Sequence, residues 1–339
     1  MITVVGESLV DLVVKSGSDE LAAHPGGSPA NVAVGLSRLG QRTALVTQIG
    51  ADGYGALVRA HLESNGAQVV LAGPTDAPTS QALARLDSSG AATYQFKLNW
   101  DVRDLRIVQG SAALHVGSLG LVLAPGDKQV LRLVESVSAQ GNVVTSYDPN
   151  VRPSVTTDRD AAAATAERVA ASAHIVKMSD EDAAFLFPHM DLDHLTTRLL
   201  TAGTRVTQLL IVTSGRRGAI VTTRDARLSL PAVPVTVVDT LGAGDAFMAA
   251  LLAGLAGFQL LSPQALAESV RAGREVLGYI VDRALAAAAL TCTRPGADPP
   301  TTEELDAFLC LLARHERPGA SAQAASGARR WLPMRSGRA

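Results

Sequence analysis

The stretch of this sequence that decides its fold reads Val237-Val238-Asp239-Thr240-Leu241-Gly242-Ala243-Gly244-Asp245-Ala246-Phe247. It predicts a buried strand over residues 235–238, a glycine-rich turn, and a helix that begins near Gly244. Unpaired N–H groups at a helix start carry the positive end of the helix dipole, and glycines let an anion approach them closely. The run therefore predicts an anion hole that contains the Asp245 carboxylate, which is placed to accept a proton from a hydroxyl attacking a phosphoryl group.

Simpler interpretations of the same run exist. A tight strand-to-helix turn, with Asp245 as a favourable charge in the first helical turn, explains it without any function. A dinucleotide fingerprint needs a third glycine where this sequence has Phe247, so that interpretation fails. The sequence also lacks the Gly-x-x-x-x-Gly-Lys-Ser/Thr loop of the Walker type. An anion hole and a plain turn both remain open.

Strand-like and helix-like segments alternate outward from this run. Strands are predicted near residues 2–5, 9–14, 43–49, 114–117, 143–147, 175–178 and 209–213, and helices over residues 29–39, 54–64, 127–139, 159–171, 180–187, 245–255 and 264–290. Repeated strand–helix units predict a mostly parallel sheet with helices on both faces and ligands at the carboxyl ends of its strands. A hairpin signature at residues 87–90, between strands at 81–86 and 93–98, predicts an accessory flap.

Composition narrows the class of protein. The chain has 339 residues, is 47% hydrophobic and carries a formal net charge of -2, which argues against nucleic-acid and membrane-surface partners. Its two cysteines form no paired spacing, so a reducing compartment is expected and a zinc site is not. The N-terminus shows no signal peptide, so we expect a soluble, cytoplasmic protein. Residues 317–339 are rich in Ala, Gly, Ser and Arg, which predicts a disordered tail.

A second glycine motif opens a helix near the N-terminus, as Gly26-Gly27-Ser28-Pro29-Ala30-Asn31. Its glycines permit the close approach of a polyol, and the Asn31 amide offers both a donor and an acceptor to hydroxyl groups. The alternative is an ordinary helix start with Ser28 as the N-cap and Pro29 at the first helical position.

Three further motifs lie at predicted strand ends, and each has a structural alternative. Asp148-Pro149-Asn150-Val151-Arg152 suits a substrate or phosphate site, although Asp-Pro-Asn is also a plain turn. In Lys177-Met178-Ser179-Asp180-Glu181-Asp182, the last four residues resemble a capping box. Thr213-Ser214-Gly215-Arg216-Arg217-Gly218 is typical of a nucleotide loop or of a simple hairpin connection.

In combination these motifs resemble the ribokinase (PfkB) family of carbohydrate kinases. The two family signatures stand as residues 26–40 and 239–247, the match runs in order from about residue 2 to 312, and residues 6–11, 148–152 and 291–297 resemble the fructokinase branch. The resemblance implies an α/β fold, specifically a ribokinase-like three-layer α/β/α arrangement with a mostly parallel central sheet and a small β lid. It implies one kinase domain over residues 1–316, with lid strands near 9–25 and 81–98.

The resemblance also implies ATP-dependent phosphoryl transfer to a sugar hydroxyl, with Asp245 as the base and the amides of Gly242, Ala243 and Gly244 as the anion hole. The implied sugar-binding residues are Asp11, Gly26, Gly27, Asn31, Tyr94, Phe96, Asn150, Arg152 and Asp245. The implied nucleotide-binding residues are Lys177, Ser179, Ser214, Gly215, Gly218, Gly242 and Gly244. Mg²⁺ would arrive with ATP, contacted through water by Asp182, and Asp239 would lie near a monovalent cation such as K⁺.

The chain departs from the family pattern where Asn-x-x-Glu is replaced by Ser179-Asp180-Glu181-Asp182. Fructose is the single substrate that the branch resemblance favours, and 2-keto-3-deoxygluconate, ribose or a nucleoside are alternatives. A catalytically silent sugar or nucleotide sensor is an alternative from a different class, because fold alone does not establish function. The expected partners are a small-molecule sugar and a second copy of the chain bound through the lid.

Overall fold

The computed structural model describes residues 1–14, 21–86, 92–201, 206–272, 274–315 and 332–333. The strands are β1 Ile2–Val5, β2 Leu9–Val14, β3 Leu21–Gly26, β4 Thr43–Thr47, β5 Gln68–Leu71, β6 Ser80–Leu86, β7 Ala92–Lys97, β8 Ala113–Gly117, β9 Val144–Asp148, β10 Ile175–Ser179, β11 Leu209–Thr213, β12 Ala219–Thr222, β13 Ala226–Leu230 and β14 Leu332–Pro333. The helices are α1 Ser28–Arg38, α2 Gly53–Ser64, α3 Gly126–Gln140, α4 Arg159–Ser172, α5 Asp180–Leu186, α6 Leu192–Thr196, α7 Ala243–Gly257, α8 Pro263–Ala272, α9 Arg274–Cys292 and α10 Thr302–His315.

The large sheet has the strand order β14-β13-β12-β11-β10-β9-β8-β1-β4-β5. The strands from β11 to β5 run parallel, and β12, β13 and β14 extend the sheet by antiparallel pairing. Val5 at the centre is in register with Val46 on one side and Val116 on the other. Because all these strands run one way, the carboxyl ends of β1, β8, β9, β10 and β11 lie along one edge.

Helices cover both faces of this sheet. One apolar core contains side chains of α1 and α7–α10, represented by Leu36, Leu251 and Ile280. The other contains side chains of α3–α6, represented by Val134 and Val169. The central strands are apolar on both faces because each face is buried under helices. The three-layer α/β/α fold and mostly parallel sheet predicted from the sequence are confirmed.

A smaller sheet has the strand order β3-β2-β6-β7, with β2 and β6 parallel and the outer pairs antiparallel. Its inner side chains include Leu9 and Ala82, which pack with Leu119 from a short 3₁₀ helix, Ser118–Leu121, at the end of β8. This is the small sheet that the sequence predicts as an accessory to the main one.

Two expectations differ from the structure. Residues 235–238 form no strand: Val238 donates its N–H to the Cys292 carbonyl, and its side chain is 61% exposed. The prolines at 231 and 234, which cannot donate to a strand ladder, favour this irregular path. The predicted helix over 264–290 corresponds to the helical residues of α8 and α9, and residue 273 between them lies outside the described residues. Most of the tail expected to be disordered lies outside the described residues, but Leu332–Pro333 pairs with β13.

Candidate functional site

Helix α7 begins at the glycine-rich turn. Gly242 is its N-cap with a φ of 73°, a left-handed conformation that favours glycine. A Cβ at this position would lie 2.6 Å from the Cβ of Ala297, so there is also no room for a side chain. In the first turn of α7, the N–H groups of Gly244 and Asp245 have no partner within the helix, and that of Ala243 donates to the Thr240 carbonyl at 3.3 Å. The anion hole at Gly242, Ala243 and Gly244 stays a prediction.

Asp245 lies in this first turn and is buried, with 7% of its surface exposed. Its Oδ1 accepts a hydrogen bond from Ser28 Oγ at 2.7 Å, and its Oδ2 accepts one from Asn31 Nδ2 at 2.8 Å. Both donors belong to α1, so the two family-like motifs meet at one carboxylate. The N-cap of α1 is Gly27 and its first residue is Ser28, so the interpretation of Ser28 as a capping residue is wrong.

A buried ion pair lies beneath the start of α7. Lys177 Nζ donates to Asp148 Oδ2 at 2.7 Å, and both side chains are almost completely buried. The ammonium is close to the helix start, because a Cβ on Gly244 would lie 2.9 Å from Lys177 Nζ. Among the described residues, Lys177 is the one buried lysine or arginine, and it supplies positive charge at this position.

Electrostatics keeps this pair charged near neutral pH. Desolvation raises the pKa of Asp148 to about 6, although Lys177 opposes the rise. Desolvation also acts to lower the pKa of Lys177, but the carboxylates of Asp148, Asp182 and Asp245 outweigh it and raise that pKa above its usual value. The site therefore holds one cation among three carboxylates.

Ser179 and Asp182 are occupied in forming the start of α5. They make a capping box in which the Ser179 hydroxyl accepts the Asp182 N–H and the Asp182 carboxylate accepts the Ser179 N–H. Asp182 also accepts the N–H of Val151 at 2.7 Å, which ties α5 to the segment after β9. The structural interpretation of this motif is correct, and contact with a metal would have to pass through water.

Besides Gly27, Asn31 and Asp245, the residues predicted to hold sugar hydroxyls lie on the small sheet and after β9. The Asp11 carboxylate packs on Gly26, where a Cβ would lie 2.2 Å from Asp11 Oδ2. Burial raises the pKa of Asp11, and the nearby charge of Arg152 opposes that rise. Arg152 donates to Asn150 Oδ1 at 2.8 Å. Asn150 has a φ of 36°, in the left-handed region that asparagine tolerates better than most residues.

Tyr94 and Phe96, on β7 of the small sheet, are the two aromatic residues predicted to contact the sugar. The Phe96 side chain packs against the cluster that contains Leu9, Ala82 and Leu119. The side chain of Tyr94 lies outside the described part of the structure, so its predicted contact with a sugar stays a prediction.

A cavity of about 260 Å³ opens on the other side of the start of α7. Predicted residues Gly215, Gly218 and Gly244 line it, and Arg216 also lines it. Ser214 instead lines a separate cavity together with Asp180 and Arg217. The apolar wall is formed by residues that the sequence analysis did not predict to bind the nucleotide: Ala232, Val233, Val235, Val237, Phe247, Leu285, Ala288, Ala289 and Cys292. Four of them belong to α9, and the apolar periodicity of α9 resembles that of any core helix, so the sequence pattern did not indicate a ligand cavity.

Asp239 lies before the turn and bridges two backbone segments. It accepts the N–H of Leu241 at 3.0 Å and that of Gly296 at 2.9 Å. Burial acts to raise the pKa of Asp239, but the backbone donors outweigh it and bring the pKa below its usual value. Asp239 is therefore a stable anion next to the anion hole.

The described residues contain no group of three or more His, Cys, Asp or Glu side chains that could hold a metal ion. Within the same described ranges, no helix combines the length and apolar character that a membrane crossing requires.

Comparison with known proteins identifies the family. The pfkB family carbohydrate kinase model matches residues 1–304. The chain is 32% identical over 321 residues to a protein named probable fructokinase-4 from Arabidopsis thaliana, across 90% of this chain and 95% of that one. It also resembles a crystal structure of a fructokinase with bound ATP from Xylella fastidiosa, with a TM-score of 0.80, 23% identity, and coverage of 92% of this chain and 99% of that chain.

A second solved structure is a double mutant of the fructokinase from Vibrio cholerae, in its fructose, ADP and potassium ion bound form. The two chains superpose with a TM-score of 0.74 at 26% identity, over 91% of this chain and 97% of that one. The ribokinase-like fold is thereby confirmed. The family match spans most of the sequence, and both signatures converge on Asp245, so the chain belongs to the PfkB family of carbohydrate kinases.

Proposed function

We propose that this carbohydrate kinase transfers the γ-phosphoryl group of ATP to a hydroxyl of fructose. The observation that carries the proposal is the buried Asp245 carboxylate at the start of α7, oriented by Ser28 and Asn31. Its partner Ser28 follows the end of β3 in the small sheet by two positions, and its neighbour Gly244 lines the apolar cavity to which α9 contributes. A sugar on one side and a nucleotide on the other would meet at this carboxylate.

Asp245 acts as the general base in this proposal. Neutral donors hold both of its oxygens without neutralising the charge, so each oxygen keeps a lone pair for the proton of the attacking hydroxyl. The N–H group of Gly244, together with that of Ala243, which also reaches the Thr240 carbonyl at 3.3 Å, would face the phosphoryl oxygens and stabilise the charge that develops on them. Lys177 adds a fixed cation beneath Gly244, held in place by Asp148.

ATP binds with its base in the cavity of about 260 Å³ and its phosphates toward the start of α7. The apolar walls from residues 232–237 and α9 suit a planar base. Gly215 and Gly218 allow a phosphate or ribose to approach the backbone, and Arg216, which also lines the cavity, supplies charge. The ATP-bound neighbour from Xylella fastidiosa supports this nucleotide.

Metal ions enter with the nucleotide or beside it. Mg²⁺ would be held mainly by the ATP phosphates, and Asp182, whose carboxylate already accepts donors from Val151 and Ser179, would contact it through water. K⁺ would lie near Asp239, whose pKa the surrounding backbone donors lower, so that it stays ionised. The potassium-bound Vibrio cholerae enzyme supports this ion.

Charge at the sugar side favours a neutral sugar over a sugar acid. Arg152 could pair with a substrate carboxylate, but its charge already acts on Asp11 and its guanidinium binds Asn150. Asp11 would also repel a carboxylate. Fructose fits this balance better than 2-keto-3-deoxygluconate, and the fructose-bound neighbour supports the same substrate.

A coupled assay of ADP release tests the proposal, with fructose, ribose, 2-keto-3-deoxygluconate and a nucleoside as acceptors and a reaction without sugar as the control. We expect fructose to give the highest kcat/KM. A clear preference for the sugar acid or the nucleoside would contradict the fructose assignment alone. If no acceptor raised ADP release above the control, the chain would be a silent sensor.

A further inference from the structure

Glu7 is a buried acid that phosphoryl transfer does not use. The chain passes between the large and small sheets four times, through residues 6–8, Gly27, residues 72–79 and residues 98–112. Glu7 lies in the first of these crossings with only 2% of its surface exposed. A carboxyl group so completely buried requires hydrogen-bond partners, and those partners indicate its role.

The hydrogen bonds of Glu7 and Trp100 connect the first and fourth crossings to the turn that contains Gly120. Glu7 Oε2 accepts the N–H of Gly120 at 3.0 Å, and the carbonyl of the same Gly120 accepts the indole N–H of Trp100 at 2.9 Å. The Ser118 hydroxyl also bonds the Glu7 carboxyl group. We call Glu7, Trp100, Ser118 and Gly120 the hinge cluster, because Trp100 lies in the fourth crossing as Glu7 lies in the first.

The turn over Ser118–Leu121, which the hinge cluster holds, has a backbone conformation that would be unfavourable without these hydrogen bonds. Ser118 has a φ of 53°, in the left-handed region that serine seldom adopts. Gly120 is pressed against Gly6, since a Cβ there would lie 3.2 Å from the Gly6 Cα. Between them, Leu119 projects into the small sheet and packs with Leu9 and Ala82. The bonds from Glu7 thus support the contact on which the small sheet rests.

The same crossing borders the substrate side of the site. A Cβ on Gly27 would lie 2.7 Å from the Glu7 carbonyl oxygen, so the second crossing packs directly on the first. The next residue, Ser28, bonds Asp245. Asp11, on β2, follows Glu7 by four positions. A shift of the hinge cluster would therefore move Asp11 relative to Asp245.

We propose that Glu7 is a positioning residue that, through Gly120 and Leu119, sets where the small sheet stands over the sugar site. This proposal rests on the proposed kinase function only for its kinetic consequences. In structural terms, the Glu7 side chain restrains β2, β6 and β7 more than it restrains the large sheet.

Glu7→Ala and Glu7→Gln, in the full-length protein, test this proposal. Alanine leaves the Gly120 N–H buried without a partner, whereas glutamine keeps an acceptor oxygen in place. We expect Glu7→Ala to speed backbone hydrogen exchange in β2 and β6 by about tenfold while exchange in β9 and β10 changes little. We expect kcat/KM for the sugar to fall on the order of ten- to a hundredfold, with nucleotide Kd nearly unchanged. Glu7→Gln should restore both properties.

Thr207→Val is the matched control, because it removes a fully buried hydrogen bond, from Thr207 Oγ1 to the Ala170 carbonyl at 2.7 Å, outside the hinge cluster. It should lower Tm without selective exchange in the small sheet. Equal acceleration across both sheets in Glu7→Ala, or a kinetic profile like that of Thr207→Val, would show that Glu7 serves stability alone.

A second variant covers the case in which Glu7→Ala does not fold. Trp100→Phe removes the indole N–H that bonds Gly120, together with part of the buried ring, and keeps the Glu7 side chain, so it should give a smaller change of the same kind in β2 and β6. No selective change in this variant would overturn the proposal. The exchange measurement needs no substrate, so it tests the role of Glu7 even if the sugar assay fails and the proposed function is wrong.

Discussion

At the scale of single residues, the site combines buried charges that differ in how they are compensated. Asp148 and Lys177 neutralise each other directly, and Asp245 accepts two neutral donors. Glu7 has only hydrogen-bond donors around it, and burial raises its pKa from an ordinary value of 4.5 to about 7. These residues should therefore respond differently to pH, and Glu7 should respond within the neutral range.

The raised pKa of Glu7 makes stability depend on pH. Between about pH 4.5 and 7 the native chain holds a proton on Glu7 that the unfolded chain releases, so this contribution is complete below 4.5 and lost as pH rises through about 7. We expect the unfolding free energy of the wild type to fall relative to that of Glu7→Gln over this interval, by on the order of 3 kcal/mol. Denaturant titrations of both proteins at about pH 5 and pH 8 measure it. If the unfolding free energies of the two proteins changed with pH in parallel, the raised pKa of the buried Glu7 would be contradicted.

The sequence predicts some of these residues and not others, for a physical reason. Asp245 stands in a glycine-rich helix start, a local pattern whose backbone donors can be inferred without a structure. Its bond to Ser28 spans 217 positions, and no local pattern indicates it. Glu7 is a lone acid after a strand, and nothing in its neighbours reveals that Gly120 will donate to it.

At the scale of elements, the start of α7 depends on one glycine. Gly242→Ala would force a left-handed φ on alanine and bring its Cβ within 2.6 Å of the Ala297 Cβ. We expect it to destabilise the protein by roughly 1–3 kcal/mol and to lower kcat, because the strained turn displaces the N–H groups of the anion hole. Thermal unfolding and steady-state kinetics measure both effects.

Gly257→Ala is the control at the opposite end of the same helix. A Cβ there would meet nothing within 4 Å, and alanine favours helix over glycine by up to about 1 kcal/mol. This variant should keep full activity and an equal or higher Tm. If both glycine variants behaved alike, the conformation of Gly242 would not matter for the site.

Elements were predicted well where pattern and packing agree. Strand β11 is apolar and buried at its first four residues, ends at the half-buried Thr213, and was predicted with its observed bounds. Residues 235–238 have the same β-branched character, but they run past the end of α9 and line the cavity instead of entering a sheet. Side-chain type alone cannot distinguish these two uses of apolar residues, because the difference arises from the tertiary position of the segment.

At the scale of the whole molecule, two distant parts of the sequence form one centre. The N-terminal region supplies the small sheet and α1, with Asp11, Ser28 and Asn31. The C-terminal region supplies α7 and α9, with the anion hole and the apolar cavity. They meet at Asp245, so the central claim is that this carboxylate is the base for phosphoryl transfer.

The turnover of Asp245→Asn tests that claim most directly. The new amide keeps an oxygen for Ser28 Oγ, and Asn31 can rotate its amide to present an acceptor, so we expect Tm to stay within a few degrees. The N–H groups at the start of α7 remain, so nucleotide Kd should change little, whereas kcat with fructose should fall about 10²–10⁴-fold because the proton acceptor is gone. A folded variant that keeps more than about a tenth of wild-type kcat would contradict the role of Asp245 as the base.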